Sequence, residues 1–488
     1  MAKSFMSKKS IAYLSKLIIV ISFEFICMTI MAFGIQDKTR YVIFGGAAAI
    51  LLLVTARLLP EKISKKQEMF VVIGLALFCF IEKFVAANIF HPTPVADYKT
   101  YYEMARYLMQ DYHYTANPLY IALFPHVLGY AECLSILFQV FGTGVGTAVM
   151  WNVTLSVISM LCLYKIGKSV GGFPMAVIIS FLWMAFPSQS FWNSFVLSEP
   201  LYTTQLLLFW CLFLMAEERQ ENKKLSVLLA LGAGIVLVLC QMVRTVGIIV
   251  IIAMLITVFL VELLSVTRKG TLWVLLMIAV FLAGNQIANM HVESRIQTAT
   301  GGFSWYHVCV GLEESTNGKW NEQDWNRVLE NVNRFQAQGY ENPAAEAQKQ
   351  EKIKAQEKIK NLAHPFWLLK EKMKILLGND SSGIIIHLKY SGVSLKNVTC
   401  EKIEFVTNSF YYMMVLLSIV GGILFFKEKS RASIAFWFLY AIGLTMGHML
   451  LEVQERYHYS ILIAFLVGAA YTVTVLTKSF ANRKKKRI

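Results

Sequence analysis

The sequence predicts an all-α polytopic membrane protein of about twelve transmembrane helices, with outer interfacial helices and a helical extracytoplasmic loop region. Three observations lead there. Hydrophobic residues make up 56% of the 488 residues, and mean hydropathy is +0.53. Charged residues make up 16%, where a soluble chain of this length would carry roughly a quarter. Apolar runs recur that approach or exceed the ~20 residues a helix needs to cross hydrocarbon.

The runs fall at 17–35, 41–58, 68–90, 147–166, 171–190, 200–216, 225–243, 246–264, 271–290, 405–426, 432–450 and 459–477. The first has no small-residue cleavage site and is expected to stay as an uncleaved span. The segment 119–141 is apolar enough to be a thirteenth, but carries Pro125, His126, Gly129 and Glu132. Charge decides between the two. With the N-terminal Lys3, Lys8, Lys9 and Lys16 in the cytoplasm and 119–141 interfacial, the basic clusters at Arg57–Lys66, Lys165/Lys168, Arg219–Lys224, Arg268/Lys269, Lys427–Arg431 and Arg483–Arg487 all fall inside. A crossing 119–141 would move every cluster after Arg57–Lys66 outside, against the positive-inside rule. This topology explains the net charge of +15 without nucleic acid, which is not expected as a partner.

Three regions follow: a transmembrane region 1–290 holding a first outer loop at 91–146, an extracytoplasmic helical region 291–404, and a C-terminal transmembrane region 405–488 with a basic cytoplasmic tail. In the second region, Asn321–Gln338 and Pro343–Leu377 read as helices, Pro343 suiting a first helical turn. Glu346–Lys360 is a solvated charged stretch. From His364 to Leu377 apolar and basic residues divide between two faces, as on a helix lying at a membrane surface. Six of the eight Cys sit in or beside apolar runs. Cys309 and Cys400 share the long loop and could pair in an oxidising compartment or stand as two thiols.

Ionisable groups within spans are functional candidates by default. Glu82 or Lys83 is expected to pair with a neighbour near the outer boundary, and Glu24 is assigned no role. The strongest candidate is Asp97, just beyond the third span and followed by Tyr98, Tyr101, Tyr102 and Glu103. It is either a catalytic carboxylate near the outer surface or a cap on a helix from Tyr98 to Tyr107. Glu199, before Pro200, is either a site residue or a carboxylate favoured by a helix start. Arg244, in a tight corner between spans, and Arg456, at the start of the last span, could each bind a lipid phosphate through a planar donor fork, or pair with a carboxylate or a headgroup. His91, His126, His307, His364 and His458 lie near the outer face, but no two have H-x-x-x-H spacing.

Several short motifs in order resemble the GT-C superfamily of integral-membrane glycosyltransferases, more narrowly bacterial relatives of the protein O-mannosyltransferase and aminoarabinose-transferase group. They are Ala96-Asp97-Tyr98; Asn117-Pro118 through Phe124-Pro125 and Phe141-Gly142; Asn152 through Lys168; Phe186-Pro187 through Glu199-Pro200; Met242 through Gly247; and Glu455-Arg456-Tyr457. Asp97 is followed by Tyr98 where many relatives carry a second acid, and two spans precede the usual first one. The resemblance implies an inverting transfer, on the extracytoplasmic face of a bacterial plasma membrane, of a sugar from a polyprenyl-phosphate donor to a hydroxyl on a glycan, glycolipid or protein. It implies Asp97 as the base or orienting carboxylate, Tyr98, Glu103 and Glu199 in the acceptor region, and Arg244 and Arg456 on the carrier phosphate. A divalent metal is compatible with it. The competing readings are a transporter or flippase for lipid-linked sugars and a wall-polymer ligase or polymerase. A transporter would more often show Gly/Pro-broken spans and midplane charges, whereas here the charges gather at outer ends.

Overall fold

The computed structural model describes residues 8–219, 221–264, 271–427 and 432–485. It confirms the fold class: an all-α polytopic membrane protein with no strand among these residues. Lys3, Arg268, Lys269, Lys429, Arg431 and Arg487 lie outside them. In order the helices are α1 (Lys8–Thr55), α2 (Lys65–Ala87), α3 (Ala96–Leu108), α4 (Pro118–Leu123), α5 (His126–Phe141), α6 (Val145–Gly171), α7 (Phe173–Met184), α8 (Pro187–Trp192), α9 (Glu199–Glu218), α10 (Lys223–Val243), α11 (Gly247–Leu264), α12 (Thr271–Ile296), α13 (Trp305–Gly311), α14 (Glu322–Ala337), α15 (Pro343–Asn361), α16 (Pro365–Leu377), α17 (Ser382–Tyr390), α18 (Asn397–Lys427), α19 (Ala432–Leu450) and α20 (Leu462–Lys485).

Among the described residues, nine helices are long and apolar enough to cross a membrane, with shorter apolar helices at His126–Phe141, Phe173–Met184 and Gly247–Leu260. The first of the nine holds two of the expected spans. At Lys38 the backbone leaves helical geometry (φ −141°, ψ 34°), and the chain folds back on itself. Before the turn Gly34 lies against the Tyr412 ring, and after it Gly45 lies against the Ser409 and Met413 backbone. Both arms therefore pack on one stretch of α18, and Lys38 at the turn pairs with Glu404 at 2.8 Å.

The expected span 171–190 is instead two helices. Pro187 removes a backbone donor and begins α8 at its first turn. Alone, α7 rises only ~18 Å, short of the hydrocarbon thickness. The break is tolerated because this region is buried in protein on nearly every side. Lys83 fills it: fully buried, its ammonium donates to Trp183 O at 3.0 Å, Met184 O at 3.2 Å and Ser190 Oγ at 2.7 Å, and it lies 3.3 Å from Glu82. Both residues thus have partners, Lys83 in the α7–α8 break and Glu82 in Lys83 and the Ser190 hydroxyl. The segment 119–141 divides at Phe124-Pro125 into α4 and α5, and Glu132 on α5 pairs with Arg295 at 2.8 Å and His291 at 2.9 Å.

In the long loop, α14 matches expectation. The single helix expected over Pro343–Leu377 is broken at Pro365, giving α15 and α16. Charges tie α13, α14 and α15 together: Arg327 bonds both Glu351 oxygens at 3.0 and 2.6 Å, and Lys358 reaches Glu313 at 2.8 Å and Asp324 at 3.0 Å. Cys309 and Cys400 are not bonded to each other; the Cys309 thiol donates to Glu351 O at 3.0 Å. Lys372, on α16, is fully buried. Its ammonium donates to Gly311 O at 2.7 Å, Met449 O at 3.0 Å and Leu451 O at 2.8 Å, joining the end of α13 to the end of α19. Gly311 allows this approach, since a Cβ there would meet Leu450 O at 2.5 Å.

Candidate active site

Between α3, α13 and the turn joining α19 to α20 lies a cavity of about 450 Å³. Asp97, Tyr98, Arg244 and Arg456 line it, with His126, His307, His387, Glu452, Tyr457 and Trp325. The structure thus gathers residues that the sequence separates by hundreds of positions.

Asp97 is placed by α3. Tyr98, Tyr101, Met104, Ala105 and Leu108 are the buried residues of this helix, a helical-spacing stripe that leaves Asp97 at the rim, about half exposed. Asp97 does not cap the helix: the N-cap is Val95, without a side-chain cap, and Asp97 lies inside the first turn. The preceding Ala96 has φ +46°, a left-handed conformation that a non-glycine residue holds at a cost of roughly 1–2 kcal/mol.

Arg456 is the hub. It sits in the short 3-10 turn Glu455–His458 before α20 and is buried. Its neighbours are pinned: Glu455 accepts from Lys319 at 2.6 Å, and His458 is held by Leu376 O at 2.6 Å and Asp380 at 3.0 Å. The guanidinium hydrogen-bonds Asp97, and its Nε lies 3.7 Å from Glu199. Arg244 ends α10 in extended conformation, lies 3.5 Å from the same Glu199 oxygen and covers the Tyr457 ring at 4.5 Å. Glu199 stands at the start of α9 before Pro200, almost wholly buried. It is not among the cavity-lining residues; it lies behind the two arginines as their shared counter-charge. Asp97 and Glu199 together balance the two guanidiniums at rest, and both arginines still line the cavity.

Tyr98 hydrogen-bonds His387 Nδ1 at 2.9 Å beneath Arg456, whose guanidinium carbon lies 5.5 Å from the ring centre. Glu103 points elsewhere: it is exposed beside Lys99 at 3.7 Å and lines a second cleft with Tyr107, Tyr114, Asn117 and Tyr120. Partial burial raises the Asp97 carboxyl, but the charge and hydrogen bond of Arg456 and the charge of Arg244 outweigh it and hold the group below its ordinary value. Burial lowers His387 to about 3, with Arg456 adding to the shift, so its ring stays neutral. Among the described residues no group of three or more His, Cys, Asp or Glu is placed to hold a metal ion, and no step here is routed through one.

Sequence reasoning did not find His387, His307, Glu452 or Lys372 as parts of this assembly. The one signal was for His307, among the histidines expected on the outer side, which have no helical spacing to group them.

No protein-family model and no curated protein matches the chain. Among solved structures it is similar to ArnT from Cupriavidus metallidurans bound to undecaprenyl phosphate, at 12% identity and a TM-score of 0.37, over 85% of this chain and 78% of that one. It is also similar to the archaeal oligosaccharyltransferase AglB from Archaeoglobus fulgidus in complex with an inhibitory peptide and a dolichol-phosphate. There the identity is 14% and the TM-score 0.41, over 86% of this chain and 51% of that one, so the chain spans about half the length of AglB.

Proposed function

We propose that this protein transfers a sugar from a polyprenyl-phosphate carrier to an acceptor hydroxyl, with inversion, at the extracytoplasmic face of a bacterial plasma membrane, both termini being cytoplasmic. The observation that carries the reading is the cluster of Asp97, Arg456, Arg244 and Glu199 at a cavity next to the apolar bundle. A leaving phosphate on a lipid needs cations where its charge develops, and two guanidiniums face that space. A hydroxyl nucleophile needs a carboxylate within hydrogen-bond reach, and Asp97 is the cavity's ionised candidate. Because Asp97 and Arg456 touch, a sugar lying between base and phosphate has to part them. Arg456 then turns to the phosphate, and Asp97, freed of its partner, becomes more basic as the donor seats. Tyr98 borders the acceptor side, and Glu199 holds both arginines in place. The sugar, and whether the acceptor is a glycan, glycolipid or protein, are left open by these residues.

The test uses the full-length chain in membranes with undecaprenyl-phosphate-linked hexoses. Asp97→Asn is expected to lower transfer by about 10³-fold while expression and carrier-lipid flipping stay at wild-type levels. Retained transfer in that variant would reject Asp97 as base, and carrier flipping without transfer in the wild type would favour the flippase reading.

A further inference from the structure

Once the products leave, Arg456 returns to Asp97 and, with Arg244, holds it ionised, so a proton taken from the acceptor has to move on. The same cavity contains a second acid–base pair. His307, on α13, lines it, and its Nδ1 lies 3.2 Å from Glu452 Oε2. The His307 carbonyl also accepts from the Glu452 amide at 2.9 Å, so ring and carboxylate are locked by main chain as well as side chain. A carboxylate only accepts, so Nδ1 carries the hydrogen, and in the neutral tautomer this bond selects, Nε2 keeps the lone pair. That nitrogen has no hydrogen-bond partner among the described residues, and the ring packs on Phe124 at 5.4 Å between centroids. Glu452 is nearly buried. Its other oxygen accepts from Gln454 Nε2 at 2.7 Å and the Tyr457 hydroxyl at 3.3 Å. Burial raises its carboxyl, and the hydrogen bond and charge of His307 together with the Gln454 bond outweigh it. Asp97, His126, Arg244 and Arg456 face the same space, and Lys372 on α16 interacts electrostatically with Glu452.

Resting on the transfer reading above, we propose that His307 is the terminal proton acceptor of the reaction and that Glu452 is its positioning residue. The acceptor oxygen bonds to the anomeric carbon while the bond from that carbon to the carrier's phosphate oxygen breaks, its electron pair leaving on the phosphate. The hydroxyl proton, drawn first by Asp97, comes to rest on His307 Nε2. Glu452 stabilises the imidazolium, which then returns the proton to water through the open mouth of the cavity.

The experiment measures undecaprenyl phosphate released from undecaprenyl-phosphate-linked hexoses by the full-length chain in membranes, between about pH 5 and 9, the range over which histidine titrates. His307→Gln is expected to lower kcat by about 10²-fold, to leave KM within about twofold as for a group acting only in the transition state, and to abolish the acidic limb of the profile. His307→Ala is expected to regain activity with added imidazole. Glu452→Gln keeps a hydrogen-bond acceptor for Nδ1 but loses the charge, so the acidic limb moves to lower pH. Wild-type rate and limb in His307→Gln, or an unmoved limb in Glu452→Gln, would overturn the proposal. If the His307 variants fail to accumulate, the Glu452→Gln limb decides alone. If the wild type releases no carrier from any hexose, the transfer reading itself fails. If wild type is active and Asp97→Asn inactive while His307→Gln is unchanged, only this inference fails.

Discussion

A single guanidinium, that of Arg456, decides the electrostatics of the cavity because it meets carboxylates on two separate helices, α3 and α9. A planar fork can hold Asp97 and Glu199 together; a lysine is a point charge and cannot. Arg456→Lys is therefore expected to keep net charge yet lower transfer by roughly 10²-fold, checked by carrier release in membranes. Titration gives a second prediction. His387 falls from 6.5 to about 3 on burial, so between those values the unfolded chain binds the proton and the folded chain does not. Its contribution to stability is complete above about pH 6.5 and is lost as pH falls toward 3. The thermal midpoint should drop on acidification from neutral pH, and His387→Gln should blunt that drop. Asp97 and Arg456 were legible one at a time, each as an outer-end charge. Their contact was not, since nothing along the chain links residues 359 positions apart. The alternative of Asp97 as a helix cap failed because Val95 occupies the cap and Ala96 turns the backbone before the carboxylate.

At the level of helices, hydropathy located the apolar segments, but prolines set their continuity. Pro187, Pro125 and Pro365 each divide a segment whose composition reads as continuous, because composition does not register a missing backbone donor. The turn at Lys38 was visible as a polar gap between apolar runs, and the ion pair with Glu404 shows why it sits there. Close helix contacts were not visible at all. A Cβ at Gly421 would lie 2.8 Å from Gly468 O, so α18 and α20 meet backbone to backbone, as small residues permit in membranes. Gly421→Leu should force them apart at a cost of about 1–3 kcal/mol, seen as a lower midpoint in a thermal aggregation assay in detergent.

For the whole molecule, the proposed chemistry depends on which side of the membrane the cavity faces. Glu103, exposed on α3 one helix face from Asp97, reports that side without belonging to the ion-pair cluster. In a chain carrying Glu103→Cys as its sole accessible thiol, an impermeant maleimide should react in intact cells; reaction only after the membrane is opened would place the cavity in the cytosol. The pattern of Lys and Arg in short loops gives an expected orientation, which this labelling tests. The fold of the long loop over the bundle was not legible, because its contacts are carbonyls meeting one buried ammonium. That ammonium, on Lys372, has a mechanical consequence. Lifting α13 from the α19–α20 junction would break all three carbonyl bonds of a buried Lys372 at once, a costly opening. On the transfer reading, a lipid-linked donor would then be expected to enter past the exposed rim at α3 and not from above.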